Sequence, residues 1–363
     1  ACAIGRMTEI SLRYGRSPLT AFAYTSYAWV AGWFCADYSL AQTFSAQGMQ
    51  LAHRFGGLNS QHTSDTLISS DDSELASSAV LVQSKQVLHW FAPLPQVIEQ
   101  LHLIEQRCTE QGLWRQQSEA WLLLAQFRFI STEPLDQQRQ RVEIQLEQLA
   151  SRKLLHQQTQ LQDSIVNLFD QLQQGHPAVT TEYRDGWQAI GTIIGALLLN
   201  QSQCWPELYR WEALLENELP GYFCISEMLF CTALMRQIQG LQRGAISHRH
   251  RIKVEQTISR LEIWQRHCPE NFSVQLQLLR AEQARLDNHN PAQYYEAALQ
   301  AATESGPGYH LALVHERYAD YLGSQGQTSL ARFCLMQAQA FHQQWQAHAK
   351  VKQLAQSLSL LAE

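Results

Sequence analysis

Apolar residues recur along most of the chain at i, i+3, i+4 and i+7, the spacing that gathers them on one face of an α-helix. No run of alternating β-branched residues stands out, so no strand is expected. The pattern predicts helices near 2–14, 19–35, 38–55, 75–91, 94–111, 114–130, 135–150, 153–174, 183–201, 205–217, 222–240, 250–267, 270–287, 291–304, 308–323, 327–343 and 346–361. It is most regular over 291–354. There Ala297, Ala298, Ala301 and Ala302 line one helix, Ala312, Ala319 and Leu322 the next, and Ala331, Ala338 and Ala340 the third. Small residues at these positions let antiparallel helices approach closely, which is how stacked helical hairpins are built. No charged cluster able to do chemistry is expected in that stretch.

The helices around Tyr294 and Phe333 match loosely at a spacing of about 39 residues, inside the ~34–47 range of helical-hairpin repeats. The fold expected is therefore an all-α solenoid of antiparallel helical hairpins, tetratricopeptide-like and irregular. Its punctuation has physical causes. Ser17-Pro18 and Asn290-Pro291 place a capping side chain before a proline, and Gly56-Gly57, Gly112, Gly323 and Gly326 stand where helices should stop. Residues 57–73 are polar and rich in Ser and Asp, and read as a long exposed loop. A second irregular stretch, 175–181, divides the expected array into an N-terminal half, 1–175, and a C-terminal half, 176–363.

Composition narrows the function classes. The 363 residues are 45% hydrophobic, enough for a core, but only 17% charged, against ~25% in average domains. Glutamine fills the gap, as at Gln137–Gln138 and Gln343–Gln344, and coats solvent faces. A net charge of −6 argues against nucleic acid as a partner. The one basic cluster, Arg243 to Lys253, reads as a solvated loop and helix start, with an anion or partner contact the lesser reading. The longest apolar run, Ala189 to Leu199, is shorter than the roughly 18 residues a membrane helix needs. Eight cysteines lie singly in apolar stretches without a CxxC, as buried reduced thiols of a cytoplasmic protein would. The chain opens inside an expected helix, so it reads as a piece of something longer.

Candidate chemistry is sparse. Gly186, Gly191 and Gly195 lie in a helix with no strand before it and no lysine after it, which suits close helix packing and not a phosphate loop. His248 and His250 flank Arg249, too close in sequence to share a helix face as metal ligands. Val314-His315-Glu316-Arg317-Tyr318 superficially matches the phospho-acceptor box of histidine kinases. With Ala312 and Ala319 beside it, it reads as a repeat helix carrying its charges on the outer face. Asp71-Asp72 fall in the expected loop, where no burial could tune them for acid–base work. The ten tryptophans read chiefly as core, with an aromatic-lined ligand groove the lesser reading. No catalytic, cofactor-binding or metal-ligating residue is assigned, and no cofactor is expected.

Two stretches carry a likeness. They are Ser11-Leu12-Arg13-Tyr14-Gly15-Arg16-Ser17-Pro18 with Ala21-Phe22-Ala23-Tyr24, and the run from Glu316 to Leu354, above all Trp345-Gln346-Ala347-His348-Ala349-Lys350-Val351. Both resemble the helical-repeat region of large bacterial hybrid signalling proteins. In those, a serine/threonine-kinase-like domain and an AAA/STAND-type predicted ATPase precede the repeats, and a GAF domain and often a histidine kinase follow. Where that family usually has Trp-Gly-Ala, this chain has Trp345-Gln346-Ala347, so its tight glycine turn is in question. The catalytic domains have no positions here.

The resemblance implies a non-catalytic interaction or sensor scaffold within a signal-transduction ATPase/kinase. Its expected partners are proteins or neighbouring domains of the same polypeptide, with a small-molecule effector as a further candidate. Two other readings stay open: a small-molecule-sensing helical-repeat domain of a STAND-type regulator, and an unrecognised helical enzyme.

Overall fold

The computed structural model describes residues 2–56, 70–131, 133–176, 183–305 and 308–360, and among them every regular element is helical. The described chain falls into two compact units, Ala1–Leu124 with Leu219–Phe223, and Ala125–Glu218 with Cys224–Glu363. These do not coincide with halves divided near residue 175.

The first unit contains α1 (Cys2–Tyr14), α2 (Pro18–Cys35), α3 (Tyr38–Gly56), α4 (Ser70–Gln86), a 3-10 turn (Leu88–Trp90), α5 (Leu94–Gln111) and the start of α6 (Trp114–Ile130). Its helices begin where local chemistry favours it. The Ser17 N–H donates to Thr20 Oγ1 at 2.9 Å ahead of Pro18. Asp71 and Asp72 lie in the first turn of α4, where carboxylates meet the positive end of the helix dipole. They are thus helical and not in a loop; the rest of that expected loop, 57–69, lies outside the described residues. Helices α2, α3 and α4 pack on one another around Ala21, Tyr24, Ala28, Ala41 and Ala52, all buried.

A short strap, residues 219–223, completes this unit. The Pro220 carbonyl accepts from Trp29 Nε1 at 2.8 Å and from Gln86 Nε2 at 3.2 Å. Phe223 meets the His89 ring at a centroid distance of 5.4 Å. Between them Gly221 has φ +78° and sits so close to Trp29 that a Cβ would lie 2.5 Å from its Nε1. Only glycine answers both demands.

The second unit runs through the rest of α6, α7 (Leu135–Ser151), α8 (Leu155–Leu161), a π-helical segment (Gln162–Val166), α9 (Asn167–Gln174), α10 (Gly186–Leu198), α11 (Trp205–Leu208) and α12 (Glu212–Glu218). It continues through α13 (Phe223–Arg243), α14 (His248–His267), α15 (Pro269–Leu286), α16 (Ala292–Ser305), α17 (Tyr309–Ser324), α18 (Thr328–Trp345) and α19 (His348–Leu360). Helix α10 is apolar all round and buried throughout, as such helices must be. Asp185 caps it, accepting the Gln188 N–H at 2.8 Å. It lies directly on the π segment: a Cβ at Gly191 would come within 2.6 Å of the Ser164 carbonyl oxygen. The glycines of α10 are thus a close helix crossing.

From α14 to α19 each helix packs on the next in sequence. Ala298, Ala302, Ala312, Ala319, Ala331 and Ala338 are buried along these contacts, whereas Ala340 is exposed. Asn290 Oδ1 accepts the Ala292 N–H at 3.0 Å, so the expected cap forms. At the end of α18 Gln346 itself takes the left-handed conformation, φ +68°. Its Oε1 accepts the Asp136 N–H at 2.9 Å, in the first turn of α7. The tight turn survives without glycine, and the side chain serves a second helix.

Six of the eight cysteines are buried free thiols, but Cys2 and Cys35 are exposed. Seven tryptophans are buried; Trp29 and Trp33 are half-buried and Trp114 is exposed. No helix among the described residues is long and apolar enough to cross a membrane.

Candidate binding cleft in the second unit

The C-terminal ends of α13 and α15, the length of α17, and α19 face a cleft of about 770 Å³. Leu197 of α10 and Leu335 of α18 also line it, while α14 and α16 contribute no lining residue. Leu241, Leu313, Ala319, Leu335 and Leu354 supply apolar wall, and Arg285, Glu316, Arg317, Asp320 and Lys350 supply charge.

The charges form two networks. In the first, Glu282 of α15 is fully buried and accepts from the Tyr295 hydroxyl at 2.6 Å, Arg317 Nε at 3.0 Å and Arg285 at 3.1 Å. The same two arginines converge on Asp320 Oδ2, at 2.9 Å from Arg285 and 3.1 Å from Arg317. Burial pushes the Asp320 carboxyl up, but Arg317 and Arg285 outweigh it and hold it below its ordinary value. Burial works against the Arg317 charge in turn, and Glu282 and Asp320 more than restore it. Tyr295 stacks on Tyr318 at 4.7 Å and closes the network on its far side.

In the second network Glu316 accepts from Lys350 Nζ at 2.6 Å and pairs with His342 Nε2 at 3.0 Å. Burial raises the Glu316 carboxyl, but Lys350 and His342 together bring it below its ordinary value. Burial lowers His342, which favours a neutral ring donating from Nε2. Gln353 bonds Lys350 at 3.2 Å and reaches the Leu199 carbonyl at 3.1 Å.

One sequence expectation is corrected here. Glu316 and Arg317 turn inward to ionic partners and do not coat an outer face. The spacing hid this: Glu282–Arg285 and Arg317–Asp320 are i,i+3 pairs, which on one helix read as ordinary surface pairs. Their partners lie about one hairpin away in sequence. A usable signal existed in the apolar neighbours Leu313, Val314 and Ala319, which set Glu316 and Arg317 beside a buried stripe.

Elsewhere in the unit Glu227 is buried and accepts from the Tyr309 hydroxyl at 2.5 Å, Gln275 at 3.0 Å and His310 Nε2 at 2.9 Å. It faces the core and not the cleft. His248 is exposed, and His250 leans edge-on against Tyr209 at 5.2 Å. Among the described residues no three His, Cys, Asp or Glu side chains are grouped to hold a metal ion.

The cleft presents charge that is already paired. A carboxylate held below its ordinary value is a weak base, so Glu316 and Asp320 suit recognition better than proton transfer. No family model matches the chain, and no curated protein or solved structure does either.

Proposed function

We propose that this chain is a non-catalytic interaction and sensor scaffold, the helical-repeat segment of a bacterial signal-transduction ATPase/kinase. The observation that carries the reading is the cleft, whose lining comes chiefly from α13, α15, α17 and α19, with one residue each from α10 and α18 and none from α14 or α16. A solenoid of antiparallel, tetratricopeptide-like hairpins turns every second helix toward one concave surface. The likeness of the Ser11–Tyr24 and Glu316–Leu354 stretches to hybrid signalling proteins supplies the context.

The mechanism is a change of curvature. Helices α14 to α16 pack mainly on their neighbours in sequence, so small rotations there cost little, whereas α18 and α19 are held also by α7 and α9. A partner that binds two curvatures unequally shifts their populations, and the shift passes to whatever domains flank the array.

The test plugs the cleft. Gly323 lines it, and a Cβ there meets nothing nearer than the Ala331 Cβ at 4.0 Å. Gly323→Trp should leave the fold intact and change the nucleotide hydrolysis or phosphotransfer of the full-length parent. An unchanged output with a folded variant would overturn the reading.

One observation favours small-molecule sensing as the form this takes. The cleft is of drug-pocket size and has an ionic floor set among apolar walls. A thermal-shift screen with a metabolite library separates sensing from plain scaffolding.

A further inference from the structure

We propose that the cleft takes a small amphipathic carboxylate, which exchanges for Asp320 between the guanidinium groups of Arg285 and Arg317. This rests on reading the cleft as a binding surface, and adds to it the chemistry of the occupant.

The two guanidinium groups are held from opposite sides by different kinds of acid. Glu282 is fully buried and fixes their inner edges. Their outer edges meet at a single oxygen of Asp320, whose side chain is 53% exposed. Two inner cations and one inner anion leave one positive charge, and Asp320 on the cleft wall offsets it. Any carboxylate placed there would accept the same two N–H groups, a charge-assisted geometry that arginine favours. A single negative charge suits the site, because Glu282 and Glu316 nearby would repel a dianion. Lys350 is not an alternative anchor, since Glu316 holds it at 2.6 Å.

The body of the ligand follows from the wall. Leu313, Ala319, Leu335 and Leu354 flank the arginine pair and would shelter a short hydrocarbon or a phenyl group. Exchange has a structural consequence. The Arg285–Asp320 pair ties α15 to α17; a ligand in its place bridges Arg285 of α15 to Arg317 of α17 and frees the Asp320 side chain, while Glu282–Arg317 keeps the two helices joined.

Asp320 competes as an intramolecular ligand at an effective concentration in the millimolar range or above. The native chain should therefore bind weakly, and removing the competitor should tighten binding at least about tenfold. The experiment is calorimetric titration of 4-phenylbutyrate into the native chain and Asp320→Ala, with 4-phenylbutanol as the uncharged control. Tighter binding of the acid to Asp320→Ala, none of the alcohol, and loss of acid binding in the double variant Asp320→Ala/Gly323→Trp would support the proposal. Equal affinities in native and Asp320→Ala protein, or no binding to Asp320→Ala, would overturn it. If the acid fails but Gly323→Trp alters the parent's output, the cleft reading stands without the carboxylate. If both fail, the cleft reading falls too.

Discussion

At the scale of the residue, the chain is governed by what is taken out of water. His89 is buried between Trp90 and Phe223, and burial pushes its pKa from 6.5 down to about 3. The folded state therefore holds it neutral while the unfolded chain takes up a proton below 6.5. Its contribution is present above that value and declines as pH falls, approaching about 1.4 kcal/mol per pH unit until the folded value is reached. His89→Phe should flatten that part of the pH–stability curve, measured by urea denaturation between pH 7 and 5. The depressed carboxyls of Glu227, Glu316 and Asp320 act in a lower window. Their contribution is intact above the ordinary carboxyl values and is lost as pH falls through the lowered ones. Gly191 is constrained by space instead. Gly191→Ala forces a methyl group onto the Ser164 carbonyl and should cost about 1–3 kcal/mol in thermal or chemical denaturation.

At the scale of the element, helix existence was legible in the sequence and charge placement was not. The period of apolar residues and the Ser17 and Asn290 caps were visible, because each depends on neighbours within a few residues; the glycines of α10 marked a close crossing but not the π segment they cross. Glu282, Arg285, Arg317 and Asp320 were not recognisable as one group, because a charge on a helix reads as solvated until its partner on another helix is known. The same limit applies to Trp114, which is exposed although tryptophan favours cores. Asp71 and Asp72 show the converse: a Ser/Asp-rich run reads as loop, but its last residues suit the first turn of α4. Gln346 joins two elements, ending α18 and bonding the first turn of α7. Gln346→Ala keeps the left-handed strain and loses that bond, so it should destabilise by about 1 kcal/mol. Gln346→Gly loses the bond but relieves about 1–2 kcal/mol of strain. It should therefore denature close to the native protein, and the difference between the two variants isolates the strain.

At the scale of the whole molecule, the division into units departs from the order of the chain. Residues 219–223 belong to the first unit although the rest of that unit ends at 124. The strap's fit depends on Gly221, where a methyl group would meet both a left-handed backbone conformation that side chains disfavour and the Trp29 ring. Gly221→Ala should therefore cost more than Gly191→Ala, on the order of 2–5 kcal/mol. The loss should register in the fluorescence of Trp29, whose Nε1–H bond to Pro220 it displaces. A change confined to far-UV helicity, with the tryptophan emission unmoved, would contradict this.

The strap also sets a timetable for biosynthesis. A nascent polypeptide leaves the ribosome in order, so residue 124, the end of the first stretch, emerges some 95 positions before the strap that begins at 219. At elongation rates of about 5–20 residues per second that stretch waits roughly 5–20 seconds for its last segment. During that interval the indole of Trp29 and the bed of Phe223 stand open to whatever chaperone reaches them first.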